Sequence, residues 1–350
     1  MHMADALISP VVGGIMWAAT AGVAAYSIKK VQNDLDEQKI PLMGVMGAFV
    51  FAVQMINFTI PGTGSSGHLG GGMLLAILLG PCAGFLTMAS ILVIQALFFA
   101  DGGLLALGCN IFNLGFYTCF ITYPLIYKWI MRNGYSTRRI FSGAILSAII
   151  GLQFGAFSVV LQTLFSGKTE LPFGTFVMLM QPIHLAIGVA EGLVTAAVAG
   201  FVWKMRPEII DKGVFGKASG SISIKKVLVG LAVVAVITGG IFSWFASANP
   251  DGLEWAMFYT SGKEELEAPE GIHQTLASIQ ERIAFLPDYT FKTQEQETNS
   301  DDTEAEEAWP AVDAGTSAAG LAGGIMTLLL AGITGFSIHL IKKRNKASAV

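Results

Sequence analysis

Long, uninterrupted apolar runs constrain this chain more than any other feature. They cover residues 10–28, 41–60, 72–100, 104–130, 139–165, 174–204, 226–247 and 317–341. A helix rises 1.5 Å per residue, so about 20 residues cross the roughly 30 Å hydrocarbon layer of a membrane. Inside that layer every backbone polar group must be satisfied internally, which leaves helices and closed barrels. Period-2 alternation is missing from the runs, which argues against a barrel. Charged residues make up only 13% of the 350, about half the share in a soluble domain. The expected fold is all-α, a polytopic membrane helix bundle.

The charges are segregated. Residues 249–316 hold 16 Asp/Glu and 3 Lys/Arg, a net of −13, while the remainder carries a net of +9. One long acidic loop joins a basic membrane body, and nothing points to a nucleic-acid partner. The loop either concentrates cations near the protein or merely reflects an external, solvated position. Its 289–308 part reads as disordered.

Lys and Arg mark the cytoplasmic side. They cluster at Lys29/Lys30/Lys39, Lys128/Arg132/Arg138/Arg139, Lys204–Lys226 and Lys342–Lys346. Placing all four clusters inside puts the amino terminus outside and forces the run 72–100 to enter and return. Gly80-Pro81 near its middle is the natural break, because proline removes a helical hydrogen bond. The expected organisation is a membrane body over 1–205 with seven segments, a basic cytoplasmic linker over 206–225, and two further helices within 226–346 around the external loop. No positive stretch precedes the first run, so a cleaved signal peptide is not expected.

That orientation brings "MHMADALISP" (1–10) and "PGTGSSGHLGGG" (61–72) to one face. The start of the chain offers the α-amine of Met1, the backbone nitrogen of His2 and the His2 ring. Amine and amide nitrogen close a five-membered chelate, and amide nitrogen and Nδ1 a six-membered one. The ring of His68 would supply a fourth nitrogen. Square-planar nitrogen coordination suits Ni(II) or Cu(II), and imidazole binds metal in its neutral form. Six glycines in 62–72 let that backbone fold tightly around a ligand. The competing reading is a tail histidine and an ordinary flexible loop.

Four stretches in order, "MHMADALISP", "PGTGSSGHLGGG", "QALFFADGGLLALGCNIFN" (95–113) and "HLAIGVAEGLVTAAV" (184–198), resemble the CbiM/NikM family. These are substrate-capturing components of energy-coupling-factor (ECF) transporters for cobalt or nickel. "NPDGLEWA" (249–256) is similar to the small CbiN/NikN partner in its PDGLE form, so the chain resembles a fused NikMN protein. The resemblance implies Met1, His2 and His68 as ligands of Ni(II), with Co(II) as the alternative, transported as substrate. It implies a multi-pass protein in a prokaryotic cell (inner) membrane, surrounded by membrane lipid. It also implies partner chains: a transmembrane coupling (T) component and two cytoplasmic ATPase subunits. The chain departs from the family's pattern at Met3, at Ala6 and in the extra small residue of "GTGSSGH".

Ionisable groups near membrane runs are functional candidates by default. Asp5, Asp101, Ser66, His184 and Glu191 are the possible supports of the site. His184 and Glu191 lie seven apart on one helical face, and direct pairing between them is the preferred expectation. Asp101, in "ADGG", either holds the amino-terminal segment or simply ends a helix. Gln95 and Asn110 are expected to make interhelical hydrogen bonds, and "GIMWAATAG" (14–22) to form a helix-packing face. Cys82, Cys109 and Cys119, like most methionines, read as apolar fillers.

Two motifs mislead. "SGKT" (166–169) lacks the earlier glycine of a phosphate loop, since position 162 is Gln162. "GSSG" (64–67) matches the G-x-S-G pattern of rhomboid-type intramembrane serine proteases, with Ser66 as nucleophile and His184 as base. That remains a distant alternative. No segment reads as an ATPase, and the chain is expected not to be an enzyme.

Overall fold

Proline and glycine set many of the helix boundaries in the computed structural model, which describes residues 2–34, 39–207, 209–210, 225–292 and 309–347. Helix α1 (Pro10–Asp34) opens on Pro10, where a missing N–H costs nothing and the fixed φ suits the first turn. Helix α2 (Lys39–Gln54) follows. The apolar run expected to continue to 60 leaves the helix at Gln54. Phe58–Ile60 becomes strand β1 and pairs antiparallel with β2 (Ser65–Gly67). Thr59 and Ile60 are β-branched and favour the pleated backbone.

Helices α3 (Gly72–Leu79) and α4 (Pro81–Phe98) meet at Gly80, whose φ is 86°. A Cβ on Gly84 would lie 3.0 Å from the backbone of Leu75, so α4 folds back along α3. The run 72–100 is therefore a hairpin. The next run forms α5 (Leu107–Ile111), a π-wound stretch Phe112–Tyr127 that contains Pro124, and α6 (Lys128–Met131). Wider winding at a proline is a common local adjustment of a membrane helix.

Helix α7 (Thr137–Phe165) is capped by Ser136, whose side chain accepts the Arg139 N–H. Helix α8 (Phe173–Met205) lies against it. A Cβ on Gly192 would stand 2.5 Å from Ile145 Cα, the close backbone approach that small residues permit between membrane helices. At the C-terminal side, α9 (Lys225–Gly240) and α12 (Ala314–Ala347) cross at Gly239 and Gly320, and α12 packs on α2 where Gly323 faces Phe51.

Five helices are long and apolar enough to cross a membrane: Pro10–Asn33, Pro81–Phe98, Thr137–Phe165, Phe173–Met205 and Ala314–Arg344. The protein is a multi-pass membrane protein. One expectation needs correcting: the loop expected to be external is partly helical, with α10 (Gly252–Ser261) and α11 (Ile272–Ile283) inside it. Within 14–22 the packing contact is made by Met16, Trp17 and Thr20, with Gly108 close against the Met16–Trp17 backbone, whereas Gly14 and Gly22 meet nothing within 4 Å among the described residues. Gly13 adds a contact with Leu105. All three cysteines are buried, and none forms a disulfide among the described residues. The acidic stretch 293–308 and linker residues 211–224 lie outside the described residues.

Lys39 and Lys342 mark one end of the bundle. Lys39 Nζ donates to the Leu79 carbonyl at the α3–α4 tip, and Lys342 Nζ to Asn33 at the end of α1. The amino terminus, the β-hairpin, the loop 99–106 and helices α10 and α11 occupy the other end.

Candidate metal centre

Residues 2–9 pass through the protein rather than over it: Met3, Leu7 and Ile8 are buried. Polar contacts from several elements hold this segment. The Met3 N–H donates to Asn110 Oδ1 at 2.8 Å, and Asn110 Nδ2 and the Gly103 N–H both donate to the Met3 carbonyl, at 3.2 and 2.9 Å. Asp5 Oδ1 accepts the Ala106 N–H at 2.9 Å. His273 Nε2, on α11, reaches the Ile8 carbonyl at 2.9 Å. A Cβ on Gly103 would lie 1.9 Å from Asp5 Oδ1, so only glycine lets the 101–103 loop lie on the segment.

The loop bearing His68 is held as firmly. Glu191 on α8 accepts the Gly70 and Gly71 N–H groups at 2.8 and 3.2 Å. Gln54 Nε2 donates to the Gly70 carbonyl at 2.7 Å, and Gln95 Nε2 donates to Gln54 Oε1 at 2.9 Å. From the opposite side, the Ser66 N–H donates to the Pro250 carbonyl at 2.8 Å and Trp255 Nε1 to the Thr63 carbonyl at 2.9 Å.

These supports bring two imidazoles together. The rings of His2 and His68 stack with centroids 4.9 Å apart and planes 16° from parallel. A nitrogen bound about 2 Å from a metal places its ring centroid roughly 3 Å away, so rings at this spacing can share one ion. His2 Nδ1 lies 3.2 Å from Asp101 Oδ1, and the Tyr289 hydroxyl donates to Asp101 Oδ2. Burial pushes both histidines down to about 3 and pushes the Asp101 carboxyl up. His2 is thus neutral at pH 7, and its contact with Asp101 is a hydrogen bond rather than an ion pair. Neutral rings are the form that binds metal.

One feature differs from the sequence expectation. The chelate expected from the sequence requires His2 Nδ1, yet here Nδ1 faces Asp101, while Nε2 has no hydrogen-bond partner among the described residues. Ligation through Nδ1 would have to break the Asp101 contact. Met1, the other expected ligand source, lies outside the described residues. Among the described residues no three His, Cys, Asp or Glu side chains stand in metal-holding positions. A full ligand set would have to draw on Met1, on backbone nitrogen or on ring rotation.

His184 and Glu191 do not pair with each other. His184 Nδ1 bonds the Met180 carbonyl at 2.8 Å, one turn back, while Glu191 turns to the His68 loop. The N–H groups of Gly70 and Gly71, otherwise orphaned in the protein, win the carboxylate. Asn110 clamps Met3 instead of bridging helices, because Met3 presents a backbone donor and acceptor side by side. Ser66 Oγ points to the Asn249 and Pro250 carbonyls at 2.7 and 3.2 Å, and among the described residues His184 Nε2 has no hydrogen-bond partner. No serine–histidine dyad exists there.

Asp251 and Tyr289 complete the site, and sequence reasoning did not single them out. Tyr289, expected in a disordered stretch, packs on Phe99 with centroids 5.0 Å apart. Asp251 caps α10, its Oδ1 accepting the Leu253 and Glu254 N–H groups while Glu254 returns a bond to the Asp251 N–H. Burial alone would raise its carboxyl; nearby positive charge and the Glu254 N–H outweigh this and hold it low. The sequence signal was available, since D-x-x-E is the pattern of a capping box.

Fold and site define a polytopic helical membrane protein with a half-buried histidine pair at one end. Residues 2–209 match the family described as "CbiM: Cobalt uptake substrate-specific transmembrane region", and the chain belongs to that family. Residues 225–340 match the PDGLE domain, so both parts are joined in one polypeptide. A "Putative fused nickel transport protein NikMN" of Archaeoglobus fulgidus is 31% identical over 94% of this chain and 96% of its own length. A "Putative metal transport protein" of Haloquadratum walsbyi is 35% identical over 60% of this chain and 93% of its own. A crystal structure titled "Crystal Structure of an transition metal transporter" aligns with TM-score 0.53 at 29% identity, covering 59% of this chain and 95% of that one.

Proposed function

We propose that this chain is the substrate-capturing component of an ATP-driven ECF transporter, taking up Ni(II) at the outer face of the membrane. It acts as a transporter component and not as an enzyme, with ATP hydrolysis on separate subunits. The observation that carries this reading is the half-buried His2–His68 stack, 4.9 Å between centroids, formed by the two histidines that the nitrogen-ligand argument selected. Lys39 and Lys342 at the opposite end support an outward-facing site. So does the cavity around it. About 820 Å³ of space opens on His2, His68, Asp101, Asp251, Glu254 and Asp288, and its lining includes no Lys or Arg among the described residues. Such a vestibule attracts cations.

In this reading the amine of Met1, the amide and ring of His2 and the ring of His68 replace the water around the ion and release protons. Asp101 holds His2 until the metal displaces it. The coupling component and ATPases then turn the loaded body inward. Nickel is favoured over cobalt by the planar nitrogen donor set and by the name of a relative that matches 94% of the chain. The division into a metal-binding body, a linker and a two-helix part that covers the site belongs to the same proposal.

Metal analysis of the purified chain with an untagged amino terminus tests it. One Ni(II) per chain, lost in His2→Ala or on amino-terminal extension, is expected. Competition against Co(II) decides the metal. A chain that binds neither ion sinks the reading.

A further inference from the structure

A second cavity lies directly behind the histidine pair. It is small, about 10 Å³, and is lined by His68, His184, Asp251, Gly67, Gly70 and hydrophobic side chains. Space of this size holds one water molecule or one bare ion. His68 and Asp251 line both this chamber and the large vestibule, whereas His2 and Asp101 line only the vestibule and His184 only the chamber. His68 and Asp251 are thus the partition between the two.

His184 presents a lone pair with no partner among the described residues. Its Nδ1 sits 2.8 Å from the Met180 carbonyl. A carbonyl only accepts, so the proton is on Nδ1 and the Nε2 lone pair is left. Among the described residues Nε2 has no hydrogen-bond partner, and the residue is only 1% exposed. An unsatisfied buried polar atom is costly, and in a native protein it calls for an explanation. The PDGLE segment closes the chamber over it. A Cβ on Gly252 would lie 2.5 Å from Ile183 Cγ2 and 3.5 Å from His184 Cε1, so glycine after Asp251 is what lets that backbone reach the imidazole.

We propose that His184 Nε2 and the Asp251 carboxylate form an inner transfer position for the transition-metal ion, reached from the outer site by passage between His68 and Asp251. The inference rests on the proposed uptake function and deepens it. His68 serves as the shared ligand: it holds the ion with His2 on the vestibule side, then presents it to His184 on the chamber side. An imidazole and a carboxylate suit a borderline divalent ion such as Ni(II) or Co(II). Water and backbone carbonyls complete its coordination in transit. The position holds the ion weakly, as a step along a path must.

The test uses the full chain with its native amino terminus, in isolation and assembled with its partner subunits. His184→Phe keeps ring shape and removes both nitrogens. This variant is expected to retain one Ni(II) per chain in the isolated protein, with affinity within about threefold of the parent, while radioactive nickel uptake by the assembled transporter falls about tenfold or more. Asp251→Asn, which keeps the helix cap because Asn caps about as well as Asp and removes the charge, is expected to lower uptake likewise. His184→Gln, which restores a donor, is expected to recover part of the uptake. In a His2→Ala background at high Co(II), X-ray absorption is expected to show two imidazole ligands, those of His68 and His184, of which His184→Phe removes one. Normal uptake by His184→Phe overturns the inference and leaves the uptake function standing. Loss of Ni(II) from the isolated, folded variant also overturns it, by placing His184 in the outer site. Failure of the parent chain to bind any metal overturns the function itself.

Discussion

The side-chain amide of Asn110 holds the backbone of Met3 from both sides, accepting its N–H at 2.8 Å and donating to its carbonyl at 3.2 Å. This pair fixes the residue next to His2, and through it the position of the His2 ring. A segment near a chain end is normally mobile. Here a buried amide holds residue 3 in the core.

Asn110→Ala is expected to leave the bundle folded but to release the end of the chain. Two buried backbone groups lose a partner, at roughly 1–3 kcal/mol for each left orphaned. Metal affinity falls on the order of 10–100-fold, the usual effect of removing a group that orients a ligand. Isothermal titration with Ni(II) measures it, and an unchanged affinity contradicts the clamp.

Glu191→Gln tests the support of the His68 loop. The carboxylate accepts two N–H groups, one on each oxygen, whereas an amide offers one acceptor oxygen and turns an NH₂ on the other donor. Loss of a charge-assisted bond, about 1.5–3 kcal/mol, is expected to lower thermal stability and to weaken metal binding on the order of tenfold. Gly70 and Gly71 amides should also exchange faster with solvent deuterium.

Acid acts on the two histidines in a defined direction. Both rings sit at about 3 in the folded protein and near 6.5 when unfolded. The unfolded state therefore binds more protons below pH 6.5, and stability is lost progressively as pH falls from 6.5 toward 3. Between pH 8 and 5 the rings stay neutral in the folded apo protein. Histidine-labelled NMR should show the His2 and His68 signals flat over that range; titration near pH 6 would contradict their burial.

Asp101→Asn addresses the contact that metal must break. The charge-assisted acceptor for His2 Nδ1 becomes a neutral one, so the ring turns more readily. Slower His2 capture by Asp101 should appear as faster Ni(II) loading in stopped-flow measurements, with dissociation also faster because the supporting charge is gone. No change in either rate would show that Asp101 does not restrain the ring.

Serine-reactive probes are expected to leave Ser66 unlabelled, since its hydroxyl donates to the carbonyls of Asn249 and Pro250. Ser66→Ala should loosen the PDGLE segment by about 1 kcal/mol, measurable as faster proteolysis near residue 250. Labelling of Ser66 would revive the hydrolase reading.

The sequence by itself determined the membrane character, the break at Gly80 and the two histidines worth joining, because these depend on run length, on backbone chemistry and on side-chain type. The partner of each polar group was beyond it. Whether Glu191 meets His184, seven residues away, or Gly70, 121 residues away, is settled by which buried N–H groups have no other acceptor. The same holds for Asn110 and Met3, 107 residues apart, and for Asp251, which enters the site from the far side of the chain. Only tertiary packing decides such matches, since the cost of an unsatisfied buried group is felt once burial has occurred.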